Sequence, residues 1–282
     1  MKKRFILLVL LVVVLGGCKV TNKTTSVIET TVLDEYTQFV SMFTEAKDKF
    51  LNSDSFILEE ESMLEFEQGE SLYRFYLIAH QEQINEPFYL KGIITSLGLN
   101  TPRIKMLIIK NKTNDTYSMY LKRGDEEPVV TIMTQSELEE ELENASLDTT
   151  LNRIPESVEI SEKTIIDNIE LITYQTTFTL NDLEEDQYLF DEILELYIGE
   201  SVNIEKYYEI PVKQTITINK TLKELVSITY DISSIAQQMM DDLAHGQSID
   251  NLTNIKLIYT FSFISINKTN SDENFIKEIT GE

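Results

Sequence analysis

The chain has 282 residues, 48 of them acidic and 24 basic, for a formal charge of −24. A surface of that sign excludes nucleic acid as a partner, since phosphate neutralisation needs clustered lysine and arginine, and it disfavours close contact with anionic lipid headgroups. A single cysteine excludes an internal disulfide, and the absence of tryptophan weakens a lectin built on stacked sugar rings. The length suits one large all-β or α+β domain, or two small ones.

The first segment is the most specific. Lys2, Lys3 and Arg4 precede an unbroken apolar run over residues 5–15, followed by Gly16, Gly17 and Cys18. A positive start, an apolar core of roughly 7–15 residues and small residues behind it make up a secretory signal segment. The run falls short of the ~20 apolar residues that an ordinary membrane-crossing helix needs. Leu15-Gly16-Gly17-Cys18 resembles the lipobox of bacterial lipoproteins. That resemblance implies a signal peptide over residues 1–17, cleavage after Gly17, and a diacylglycerol (with acyl chains such as palmitate) on the Cys18 sulfur. The alternative is an ordinary leader, or a short membrane helix, whose cysteine is incidental. Two acyl chains hold a protein stably where one is marginal. The expected product is a monomeric body leashed by Cys18 to the extracytoplasmic face of the cell membrane. Loss of the leader's three bases takes its charge to −27.

Residues 18–31 are polar, lack a helical or strand period, and read as a lipidated flexible tether. Residues 32–267 follow as one domain. Over residues 33–52, Leu33, Tyr36, Phe39, Val40, Phe43, Ala46 and Phe50 recur at three- and four-residue steps, which predicts an amphipathic helix. Strand-like segments with short turns then succeed one another at 55–66, 72–83, 88–97, 103–110, 116–123 and 129–133, the pattern of an antiparallel meander. The first alternates imperfectly, with Phe56, Leu58, Leu64 and Phe66 on one side.

Ser136 and Glu139 match a capping box and predict a short acidic helix to about residue 144. A weak strand near 156–160 and a stronger one over 165–180 follow. Residues 182–198 read as a second helix that buries Phe190, Ile193, Leu194, Tyr197 and Ile198, and Gly199 stops it. Residues 208–218 and 226–232 alternate as a hairpin about Asn219-Lys220-Thr221, a short helix covers 233–244, and a closing strand spans 255–263. Residues 268–282 read as a frayed tail.

This order of helix, about eleven antiparallel strands and late inserted helices resembles the LolA and LppX/LprG superfamily of lipoprotein and lipid carriers. The likeness rests on the helix at 33–52, the hairpin about 219–221, the helix over 233–243 and the strand over 255–263. It implies an α+β fold in which a strongly curved sheet forms an incomplete barrel, with inserted helices as the lid of an apolar cavity. The candidate cavity residues are Phe190, Ile193, Leu194, Tyr197, Met239, Met240, Tyr259, Phe261 and Phe263. Met239 and Met240 are flexible and polarizable, as adaptable binding surfaces favour. Plain core packing explains the same residues.

No sequence motif carries an enzyme. The two histidines, His80 and His245, have no cysteine or histidine partner at ligand spacing, and neither a glycine-rich phosphate loop nor a Gly-x-Ser-x-Gly elbow occurs. The expectation is therefore no catalytic residue, no cofactor and no metal. Two functions stay open: a carrier of a lipid or other hydrophobic ligand, and an envelope-structural or protein-interaction lipoprotein with a filled core.

Overall fold

A computed structural model describes residues 34–98, 101–111, 114–143, 150–151, 153–182, 203–244, 252–267 and 270–281. Helix α1 (Glu35–Leu51) starts where the Asp34 carboxylate accepts from the Thr37 amide at 2.8 Å, and it buries Phe39, Phe43, Ala46 and Phe50. Tyr36, expected on that stripe, is exposed at 37%.

Eleven strands follow: β1 (Ser55–Gln68), β2 (Ser71–Ile84), β3 (Tyr89–Leu97), β4 (Ile104–Lys110), β5 (Thr116–Arg123), β6 (Val129–Thr134), β7 (Glu159–Ile166), β8 (Ile169–Phe178), β9 (Val212–Asn219), β10 (Glu224–Asp231) and β11 (Leu252–Ile266). Helix α2 (Gln135–Glu143) follows β6, α3 (Ser233–Ala244) lies between β10 and β11, and α4 (Glu273–Thr280) comes last. The strands form one sheet in the order β6-β5-β4-β3-β2-β1-β11-β10-β9-β8-β7, antiparallel at every pair. The first strand pairs with the last, so two meanders join at β1/β11 and run outward to the edges β6 and β7. The sheet is not closed into a barrel.

Register sorts every strand into two faces. On the front, Leu58 and Leu64 of β1 join Phe261 and Leu257 of β11, Ile228 of β10, Ile216 of β9 and Tyr174 of β8, all in one cluster with α1 and α3. Phe39 lies 4.9 Å from Tyr174 between ring centroids. Farther along the same face, Leu90, Ile94, Met106, Ile108, Met119 and Met133 pack with Leu138 of α2. The back face is wetter. Thr173 meets Thr217 at 3.0 Å and Thr229 meets Thr260 at 3.1 Å across strands. Glu65 accepts from Lys256 at 2.8 Å on one side and from Arg74 on the other.

Four sequence expectations need correction. The segment expected as a frayed tail holds a helix over Glu273–Thr280: Asp272 caps α4 through the Phe275 amide at 3.0 Å, and Gly281 ends the helix in the left-handed conformation. Phe275 and Ile279 are buried against Tyr89 and Leu107 on the back of the sheet. Segment 165–180 is not one strand either. Asp167 (φ 50°) and Asn168 (φ 66°) make a two-residue hairpin turn, so Ile165 and Ile166 end β7 on the open edge. The capping box of α2 is built by Thr134 and Glu137 rather than Ser136 and Glu139: the Thr134 amide donates to Glu137 at 2.7 Å, and the Glu137 amide donates back to the Thr134 hydroxyl at 3.3 Å. Finally, the strand expected over 208–218 begins only at Val212, after a 3-10 turn over Ile204–Tyr207.

Candidate binding face of the sheet

The sequence candidates divide cleanly. Gly17, Cys18, Phe190, Ile193, Leu194, Tyr197 and His245 lie outside the described residues. The other five come together. Met239 of α3 is fully buried, with Met240 half-buried beside it. Tyr259 and Phe261 meet edge to face at 4.9 Å, and Phe263 stands edge-on to Phe50 of α1 at 5.0 Å. Their contacts are those of core residues. A hollow of about 30 Å³, lined by Ala46, Phe50, Leu225, Phe263 and Ile266 among others, offers room for about one water.

α1 and α3 lie over β7, β9, β10 and β11, with Phe50 of α1 meeting Phe56 of β1 at 4.9 Å, whereas α2 lies over β5 and β6. In the middle, on β1 and β2, the apolar face carries polar groups that sequence reading missed. Glu60, 6% exposed, shares the face of Leu58 and Leu64, and its carboxyl accepts from the Tyr259 hydroxyl at 2.6 Å. No lysine or arginine among the described residues pairs with it, and burial pushes the acid up to about 8. Gln81 and Gln83, both buried, sit on the same face of β2, opposite Leu58 and Phe56. The Gln81 Nε2 and the Gln83 Oε1 have no hydrogen-bond partner among the described residues, although Gln83 donates to Asn85 at 2.8 Å. The residue paired with Gln81 on β3 is Gly92, which has no side chain to offer it a partner.

A second polar knot lies toward β8. Gln214 donates to the Tyr230 hydroxyl at 3.1 Å and keeps its own carbonyl oxygen unpartnered. Burial pushes Tyr230 up to about 12, against a hydrogen bond with Thr150. The Arg153 guanidinium stacks 3.8 Å above the Phe178 ring. His80 hydrogen-bonds Glu82 at 3.1 Å on the back face, and Lys91 donates to the same Glu82 carboxylate at 2.9 Å.

No protein-family model matches this chain, and no curated protein is similar to it in sequence. Its solved structural neighbours include the lipoprotein LppX of Mycobacterium tuberculosis, at 11% identity and a TM-score of 0.45 over 83% of this chain and 98% of that one. LprF of Mycobacterium bovis follows at 12% identity and 0.43, over 83% and 95%. A putative outer membrane lipoprotein-sorting protein domain from Vibrio parahaemolyticus matches at 7% identity and 0.27, over 88% and 100%. Likenesses of this grade carry no ligand, partner or residue role to this chain.

Proposed function

We propose that the protein is a non-enzymatic lipoprotein of the cell envelope, held at the membrane through Cys18, that takes a lipid or other hydrophobic guest on the front of its sheet. One observation carries this reading: the apolar front runs from β8 to β6, while the described helices lie mainly over β9 to β11 and over β5 and β6, and the buried Gln81 Nε2 and Gln83 Oε1 on β2 have no partner among the described residues. A large one-sided apolar sheet needs cover, and concave apolar surfaces with a few placed polar groups are where small molecules bind. The leader supplies the address, with cleavage after Gly17 and acylation of Cys18.

The test is a titration of the body from residue 30 onward with the neutral apolar dye N-phenyl-1-naphthylamine. A saturable rise in fluorescence, reversed by added lipid, is the expected result. A flat titration favours the second reading, an envelope-structural or protein-interaction lipoprotein with a filled core. That second reading draws its support from the close packing of Met239 and Phe261 and from the water-sized hollow beside Phe50.

A further inference from the structure

Resting on the guest-binding reading, we propose that Glu60 and Gln81 form a hydrogen-bonding subsite within the apolar front face, one that receives an uncharged oxygen acceptor of the guest, such as an ester carbonyl, and rejects a carboxylate. Register makes the two residues diagonal neighbours: Glu60 pairs with Ala79, and Gln81 stands two residues along the same face of β2. On that face Glu60 has Leu58 and Ser62 as its strand neighbours, Ala79 and Phe261 across the two adjoining strands, and Leu77 on the diagonal. The chemistry on offer is donation. With burial holding the Glu60 carboxyl protonated at neutral pH and the Tyr259 hydroxyl bonded to one of its oxygens, the acid has a proton to give. The Gln81 Nε2 carries N–H groups that no described residue accepts. Leaving buried donors unmade is costly, so an acceptor delivered by a guest recovers that loss.

Charge selection follows from the same surroundings. No cation among the described residues pairs with Glu60, so a carboxylate placed there keeps its full desolvation cost and faces an acid already driven neutral by that environment. An ester oxygen carries no such cost. A hydrocarbon carries none either, but it leaves both donors unsatisfied.

The experiment compares three probes with similar chains: methyl oleate, oleate and 1-octadecene. Each is added to the full chain in detergent micelles at neutral pH and read by native mass spectrometry. Methyl oleate is expected to bind about tenfold tighter than 1-octadecene, the yield of one or two buried hydrogen bonds, and tighter than oleate by at least that factor. Glu60→Gln keeps a neutral donor and holds methyl oleate within about threefold of the parent. Glu60→Leu and Gln81→Leu drop methyl oleate about tenfold, erasing its advantage over 1-octadecene bound by the same variant, while their far-ultraviolet circular dichroism stays that of the parent. Methyl oleate binding that survives Glu60→Leu, or oleate bound as well as the ester, overturns the subsite and leaves guest binding standing. Failure of the parent chain to take any of the three overturns the guest-binding reading itself.

Discussion

The Tyr259 hydroxyl donates a 2.6 Å hydrogen bond to a Glu60 carboxyl that lies on the apolar side of the sheet without a cationic partner among the described residues. The consequence for stability has a definite sign. Unfolded, this acid ionises near its ordinary 4.5; folded, only near 8. Between those values the folded state holds the extra proton, so stability is full below the lower one and falls as pH rises toward the upper, by up to about 1.4 kcal/mol per pH unit. In urea titrations between about pH 5 and 8, the parent midpoint is expected to decline and that of Glu60→Gln to stay level. Equal slopes for the two proteins would refute the burial of this acid.

Helix α4 is a structural element of the back face. Truncating its buried ring, Phe275→Ala, is expected to cost about 3–5 kcal/mol by urea unfolding, since Tyr89 and Leu107 lose their cover. Asp272→Ala removes both the helix cap and a carboxylate 3.1 Å from the Lys91 ammonium, with about 1–2 kcal/mol expected. The Phe275 amide, and then Lys91, hold the Asp272 carboxyl below its ordinary value. Its contribution is therefore present above the unfolded value of 3.8 and is lost as acid takes pH down through the folded one. If Phe275→Ala unfolds at the parent's urea concentration, the helix does not dock as described.

The cap of α2 distinguishes two placements. Thr134→Ala is expected to lower stability by about 1 kcal/mol and Ser136→Ala by less than about 0.5 kcal/mol. The reverse order, by thermal or urea unfolding, would restore the box expected from sequence.

Gly98 closes β3 at φ +84°, where an added Cβ would stand 2.7 Å from the Arg74 carbonyl oxygen of β2. Both the conformation and the contact oppose a side chain, so Gly98→Ala is expected to cost more than about 1 kcal/mol. A neutral outcome would mean that the end of β3 is placed differently.

Most strands were legible because alternation is a short-range signal. Ile216 and Ile218 against Thr215 and Thr217 declare a half-wet strand without any tertiary information. What escaped notice was hidden by the same rule. Ile165 and Ile166 looked like the start of one strand running to residue 180, yet they end an edge strand at 74% and 55% exposure, because turn residues Asp167 and Asn168 reverse the chain beyond them. The cue for α4 was present in Asp272, then Phe275, Ile276 and Ile279 at helical spacing, then Gly281. Eight residues are too few for that period to stand out, and only the back of β3 and β4 makes them a helix worth forming. At the Asn219-Lys220-Thr221 turn, Asn219 acts through its side chain, accepting from the Leu222 amide at 2.9 Å. The polar spot on the front face showed in the sequence only as a blemish, Glu60 and Ser62 interrupting the run from Phe56 to Phe66. Whether such a blemish is wet or buried depends on what covers it, and that is set by chain far away.

The central claim is that the front of the sheet holds an apolar guest. The most direct measurement is native mass spectrometry of the body from residue 30 onward, purified without added lipid, with organic extraction of the same sample. The account predicts a population heavier than the chain by the mass of a recoverable hydrophobic molecule. A single mass equal to that of the bare polypeptide, with nothing in the extract, would contradict it.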